Sequence, residues 1–236
     1  MSEFTIIIPL YNEVENLLQL EYALLDYIPK SSKTVSILFV NDGSTDGSEK
    51  LLGEICKRNR NFHSISFQKN KGLSTALKAG FDWVQSPYLG YMDGDLQTHP
   101  EDFNLLLEYC GEYDLVTGIR ENRNDTFVKI FSSKIANSIR RLFTQDGIKD
   151  TGCPLKVIKT SYAKQIPMFK GLHRFLPAMV LLQKGKIHQI PVRHFPRMKG
   201  KRKFGLSNRL FGPLTACFVF LWMKQNYIYY EIKKKE

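Results

Sequence analysis

The stretch FTIIIPLYNE at residues 4–13 passes from a β-branched apolar run straight into polar residues, and VSILFVNDGS (35–44) and YLGYMDGDLQ (88–97) repeat the change. Short apolar runs closed by turn residues read as strands buried on both faces, the mark of a parallel sheet. Between them lie stretches with helical spacing, the first being EVENLLQLEYALLDY at 13–27. The alternation predicts an α/β fold: a mostly parallel sheet flanked by helices. Strands are expected at 4–9, 35–40, 62–67, 88–92 and 114–117, and helices at 13–27, 46–59, 73–84 and 100–109. Ser44, Thr45 and Asp46 offer N-cap chemistry to the second helix, and Pro100 is well placed to open the fourth.

Beyond residue 120 the rhythm loosens to a helical stretch at 127–143, a short strand at 155–158, a helix at 175–183 and a strand at 186–193. No long linker intervenes, so residues 1–205 read as one domain and 206–236 as a C-terminal extension. Within it, residues 210–223 carry no charge but fall short of the roughly 20 apolar residues that a spanning helix needs. Trp222, Tyr227, Tyr229 and Tyr230, followed by Lys233, Lys234 and Lys235, suit an amphipathic helix at a membrane interface. A helix packed on the core, or against a second copy in a homodimer, fits the same residues.

A chain of 236 residues, 43% hydrophobic and 24% charged, belongs to the globular class and not to disordered or multi-span membrane chains. Four widely separated cysteines and an N-terminus without a basic, then apolar, leader point to the reducing cytoplasm. The net charge of +11 is uneven, with seven basic residues and no acidic one between Arg193 and Arg209. That field favours a polyanion: nucleic acid, anionic lipid or a phosphorylated substrate.

Ligands of open α/β sheets bind beyond the carboxyl ends of the strands. Asp93 and Asp95, two apart on such a turn, are suited to share one hard divalent cation, with Gly94 expected to let the backbone turn tightly. A cation held there neutralises a diphosphate leaving group. Beside it, Asp42 is suited to accept hydrogen bonds from a nucleobase, Tyr11 to line a planar ring and Glu13 to meet a ribose hydroxyl.

The segments PLYNE, VNDGSTDGS, NKGLSTALKAG and MDGDLQTHPED resemble the four N-terminal motifs of the glycosyltransferase family 2 catalytic domain, over roughly residues 4 to 120. The resemblance implies the GT-A fold, Rossmann-like, and a nucleotide-diphosphate sugar donor. It implies that Pro9, Tyr11, Glu13, Val40, Asp42, Lys71, Asp93, Gly94 and Gln97 bind the nucleotide sugar. Asp93, Asp95 and Gln97 are then the ligands of Mg²⁺ or Mn²⁺. Asn41 stands where many relatives carry a second aspartate.

The later segments GIRENRND (118–125), KDTGCPLK (149–156), HRFLP (173–177) and PRMKGKRKFG (196–205) resemble the branch containing dolichol-phosphate mannose synthase and bacterial polyprenol-phosphate sugar transferases. Inverting transfer to a lipid phosphate is the implied reaction, on the cytoplasmic face of the membrane. An acceptor phosphate is already anionic near neutral pH, so it needs cations to hold it in line and no general base. Arg120, Arg123, Arg197 and Lys203 are suited to supply them. Asp95, Asp150 and Arg120 are the candidate catalytic residues, Asp150 as a base, an acceptor-orienting group or a turn cap. His173 and His194 fit a phosphate contact or a structural polar role, and Cys153 fits packing.

The nearest rival is a family 2 enzyme acting on a hydroxyl acceptor in polysaccharide, lipopolysaccharide or glycolipid synthesis, with Asp150 as base. Nucleic acid is disfavoured as a partner, because three acidic strand ends repel its phosphates in the absence of a metal. A nucleotidyltransferase would need a triphosphate-cradling glycine-rich loop, which the sequence lacks.

Overall fold

The structure, a computed structural model, describes residues 2–121, 143–196 and 211–229, except the side chains of 211–214. The expected helix at 127–143 and the basic residues Arg123, Arg197 and Lys203 lie almost wholly or entirely outside the described residues, as does the expected domain boundary at 205.

Seven strands form one sheet: β1 (Phe4–Leu10), β2 (Val35–Asn41), β3 (Phe62–Ser66), β4 (Tyr88–Tyr91), β5 (Leu115–Arg120), β6 (Lys156–Lys159) and β7 (Ile187–Val192). Their spatial order is β3-β2-β1-β4-β6-β5-β7. All run parallel except β6, which is antiparallel to both β4 and β5. The fifth strand of the sequence rhythm therefore does not sit beside the fourth; β6 comes back between them.

Seven α-helices are described: α1 (Val14–Tyr27), α2 (Ser48–Arg58), α3 (Leu73–Trp83), α4 (Phe103–Leu107), α5 (Thr160–Gln165), α6 (Leu176–Leu182) and α7 (Phe211–Asn226). They form two outer layers. Leu17, Leu20 and Leu24 of α1, Leu52 and Ile55 of α2 and Phe103 and Leu106 of α4 pack on one sheet face. Ala76, Leu77 and Phe81 of α3, Met179 of α6 and Ala216, Cys217 and Phe220 of α7 pack on the other. The all-buried pattern of β1 explains why its sequence is continuously apolar instead of alternating.

Two helix starts depart from expectation. Helix α2 begins at Ser48 behind a left-handed Gly47 with φ 92°, not at residue 46. Asp46 serves two helices: Oδ1 accepts from the Ser48 amide (3.0 Å) and Oδ2 from the Val14 amide at the start of α1 (3.0 Å). The expected helix at 100–109 is a 3₁₀ turn, Pro100–Asp102, followed by the short α4.

Helix α7, which covers most of residues 210–223, packs one side on the core. Ala216, Cys217 and Phe220 are buried, and the Phe220 ring stacks on Phe175 (5.5 Å between centroids). Phe218 and Trp222 on the outer side are 63% and 65% exposed. Among the described residues no helix is long and apolar enough to cross a membrane.

Candidate active site

The carboxyl ends of β1, β2, β4, β5 and β7 share one edge of the sheet, and the antiparallel β6 starts from that edge. Every candidate in the described residues lies along it, except Pro9 and Val40, which are a register pair buried within the sheet.

At the β1–β2 end the two loops are stitched together. The Asn12 amide donates to Ser44 Oγ (2.9 Å), Asn12 Oδ1 accepts from the Thr45 amide (2.7 Å), and the Glu13 amide donates to Ser48 Oγ (3.1 Å). Asn12 holds a left-handed φ of 52°, a conformation that asparagine tolerates better than most residues. Tyr11 and Glu13 are thereby set at the mouth of β1, half-buried. Asn41 is structural: Nδ2 donates to Ser66 Oγ (3.2 Å) and Oδ1 accepts from the Ser44 amide (3.1 Å).

Asp42 is 4% exposed, and its two oxygens accept the backbone amides of Lys71 (2.7 Å) and Gly72 (2.8 Å). It anchors the NKG loop and holds Lys71 at the rim, with its side chain exposed. Gly43 makes that approach feasible: its φ is +68°, and an added Cβ would lie 2.4 Å from the Lys69 carbonyl carbon.

The turn after β4 carries Asp93 and Asp95. Tyr91 Oη donates to Asp93 Oδ1 (2.8 Å), and Asp95, 6% exposed, accepts the Gln97 amide (3.2 Å). Burial, then the neighbouring Asp95 charge, raises the Asp93 carboxyl to about 6, against the Tyr91 hydrogen bond and the charges of Lys156 and Arg120. The turn runs through Gly94 and Asp95, as expected, but does not need a glycine's left-handed freedom there. Gly94 is outside the left-handed region and has ordinary space for a Cβ, whereas Leu96 takes φ 54°. Left-handed leucine costs roughly 1–2 kcal/mol, local strain of the kind that gathers at functional sites. Gln97 ties this turn to the segment after β7: its carbonyl accepts from the Phe195 amide (2.9 Å) and from His194 Nδ1 (3.1 Å).

Arg120, at the end of β5, forms a fork with Asp150: Nε to Oδ2 at 2.8 Å and Nη2 to Oδ1 at 2.9 Å, with the Arg120 amide also on Oδ2 (3.2 Å). Burial disfavours the guanidinium charge, but the Asp150 hydrogen bonds outweigh it and the pKa is raised. Gly152 leaves room for the fork, since a Cβ there would lie 2.7 Å from Arg120 Nη2. Cys153 is fully buried and burial pushes its thiol to about 11, as a packing residue requires.

Three placements depart from a plain reading of the sequence. Arg193, counted in the basic run, is tied to Asp102 by Nε (2.8 Å) and by its amide (3.0 Å). His173 Nδ1 is hydrogen-bonded to Ser74 Oγ (2.9 Å), an oxygen that also accepts the Gly171 amide (3.0 Å). Burial, then the Arg174 and Lys156 charges, pushes His173 down to about 3, so it is neutral and not a cationic phosphate ligand. Lys156 lies inside KDTGCPLK with no role assigned by the sequence, yet it is 1% exposed beneath Asp93. Its signal was a lysine at a core-facing position of an apolar strand.

An acidic Asp-x-Asp turn on the carboxyl edge of a mixed seven-stranded sheet flanked by helices matches the GT-A arrangement of a glycosyltransferase. The chain belongs to glycosyl transferase family 2, whose model matches residues 5–166. It is 29% identical over 227 residues to the undecaprenyl-phosphate 4-deoxy-4-formamido-L-arabinose transferase of Edwardsiella ictaluri, covering 92% of this chain and 70% of that one. It is also 29% identical over 231 residues to the dodecaprenyl-phosphate galacturonate synthase of Rhizobium johnstonii, covering 94% and 68%. Among solved structures, glucosyl-3-phosphoglycerate synthase from Mycobacterium tuberculosis in complex with UDP superposes with a TM-score of 0.70 at 15% identity, over 95% of this chain and 80% of that one. The mannosyltransferase of Pyrobaculum calidifontis, in complex with GDP-Man and Mn²⁺, gives 0.63 at 15% identity, over 93% and 64%. These structural likenesses establish the fold.

Proposed function

We propose that this glycosyltransferase moves one sugar, with inversion, from a UDP- or GDP-sugar to a polyprenyl phosphate at the cytoplasmic face of a membrane. The observation that carries the reading is the Arg120–Asp150 fork beside the Asp93–Asp95 turn. With both oxygens engaged by Arg120, Asp150 orients a cation instead of taking a proton. The guanidinium keeps further N–H groups for an oxyanion. A phosphate acceptor needs that cation and needs no base. The names of the two curated relatives support the same acceptor class.

In this reading Tyr11, Glu13 and Lys71 face the nucleoside, Asp42 fixes the NKG loop against it, and the buried Pro9 and Val40 support the strand ends beneath them. Asp93 and Asp95 fit a divalent cation: both are oxygen donors on one turn, close enough for the charge of one to raise the pKa of the other. Among the described residues no third His, Cys, Asp or Glu joins them, which leaves places for Gln97 and for diphosphate oxygens. When bound, Mg²⁺ or Mn²⁺ neutralises the diphosphate and makes it a better leaving group. Arg120, with Arg123, Arg197 and Lys203 of the basic segments, holds the acceptor phosphate in line with the anomeric carbon. The exposed Phe218, Val219 and Trp222 of α7 rest on the lipid surface that carries the prenyl tail.

The test is a competition between undecaprenyl phosphate and saccharide hydroxyl acceptors for a radiolabelled donor sugar. Label entering the lipid monophosphate, and lost in Arg120→Ala, supports the proposal. Transfer to a hydroxyl acceptor that survives Arg120→Ala and fails in Asp150→Asn overturns it in favour of base catalysis.

A further inference from the structure

A lysine buried to 1% in a strand calls for a reason, because removing an ammonium from water costs several kcal/mol unless charges or hydrogen bonds compensate. Lys156 of β6 is the register partner of Tyr91 on β4 and of Thr117 on β5, so the three side chains rise from one sheet face. Lys156 Nζ donates to the Cys153 carbonyl and lies 6.0 Å from the centroid of the Tyr91 ring. The Tyr91 hydroxyl in turn donates to Asp93 (2.8 Å). A chain of contacts thus runs from the ammonium, through the aromatic face, to the first acid of the Asp-x-Asp turn. The hydroxyl of Thr117 next to it is buried with no hydrogen-bond partner among the described residues, so the space under the turn is polar and incompletely satisfied. Burial lowers the lysine pKa, while Asp150 and Asp93 act to restore it.

The charges around the turn are set against one another. Asp93, Asp95 and Asp150 supply the negative side, and Arg120 and Lys156 the positive side, the latter two both acting on Asp93. A divalent cation approaching the nucleotide-free turn meets two carboxylates whose attraction is opposed by the Lys156 and Arg120 charges. The same cation arriving with a diphosphate brings its own anionic ligands.

We propose that Lys156 is a positioning residue for the metal–diphosphate site: its buried charge balances the Asp93–Asp95 pair so that the cleft takes up its cation together with the diphosphate and not ahead of it. The inference rests on the metal reading given under the proposed function. Its structural alternative is a lysine that only fills space, and that role has no bearing on cation affinity.

The experiment is a Mn²⁺ titration of the full chain followed by electron paramagnetic resonance, without nucleotide and with saturating UDP or, in parallel, GDP. The wild type is expected to bind Mn²⁺ at least tenfold more tightly with the preferred nucleotide. Lys156→Met is expected to bind Mn²⁺ at least threefold more tightly than wild type in the nucleotide-free state, so the enhancement by nucleotide shrinks. Thr117→Val, which removes the neighbouring hydroxyl and no charge, is expected to match the wild type. Should Lys156→Met not fold, Lys156→Gln keeps a donor for the Cys153 carbonyl, removes the charge, and gives the same readout. Neutral variants with wild-type or weaker nucleotide-free affinity overturn the role of Lys156 while leaving the metal site standing. A wild type that binds no Mn²⁺ even with nucleotide removes the metal reading, and this inference with it.

Discussion

Replacing Asp93 by asparagine should make the nucleotide-free protein more stable while disabling it. Asp93 is held among buried groups with Asp95 nearby, and these raise its carboxyl from 3.8 to about 6. In the unfolded chain the group ionises near 3.8, so between these values the unfolded state sheds a proton that the folded state retains. Stability associated with this group is therefore full below 3.8, falls as pH rises through 6, and is absent at pH 8. The displacement corresponds to at most about 3 kcal/mol, part of which is shared with Asp95. Asparagine keeps an acceptor for the Tyr91 hydroxyl, fits the same volume and carries no charge. A gain of about 1–3 kcal/mol at pH 8 corresponds to roughly 3–10 °C in Tm for a chain of this size. Thermal unfolding in EDTA, by circular dichroism, should show that gain at pH 8 and about half of it at pH 5. A variant no more stable than wild type at pH 8, or one with an equal gain at both pH values, would refute the electrostatic account of the turn. Stabilisation by loss of a functional charge is the usual trade between activity and stability.

Further outcomes follow from the geometry. Gly152→Ala places a Cβ 2.7 Å from Arg120 Nη2 and should cut kcat/KM at least tenfold, with donor-nucleotide affinity from calorimetry unchanged. Gly43→Ala meets both a φ of +68° and the Lys69 backbone, so it should cost about 2 kcal/mol or more in urea unfolding and weaken nucleotide binding. Asp42→Ala leaves the Lys71 and Gly72 amides without their charged acceptor, a loss of about 1–3 kcal/mol in all, and should abolish the thermal shift produced by UDP or GDP. Val219→Ser with Trp222→Ser removes much of the exposed apolar face of α7, and should release the protein from anionic vesicles in a sedimentation assay.

The first half of the fold was legible because buried parallel strands must be apolar throughout. FTIIIP and VSILFV carry that requirement on their surface, and their polar ends mark the functional edge. The position of β6 was not legible. KVIK is four residues long with lysines at both ends, and its insertion between β4 and β5 is decided by pairing across some 65 residues of chain to Tyr88–Tyr91. Asp46 was visible as a capping acid and Asp42 as a nucleobase acceptor, but neither as a clamp on the amides of Val14, Lys71 and Gly72, since such contacts exist only once two loops meet. Arg193 read as one of a run of cations until Asp102, ninety-one residues away, took it up. Lys156 was hidden because β6 has lysines at both ends, and only pairing with β4 and β5 decides which of them is buried.

The most direct measurement is a crystal structure of the protein with Mn²⁺ and an intact nucleotide sugar, using the anomalous signal of manganese to place the ion. The account predicts one peak within ~2.2 Å of carboxylate oxygens from both Asp93 and Asp95 and of a diphosphate oxygen, a normal coordination distance for such ligands. A bound nucleotide sugar with no peak at that turn, or with the two carboxylates facing apart, would contradict it.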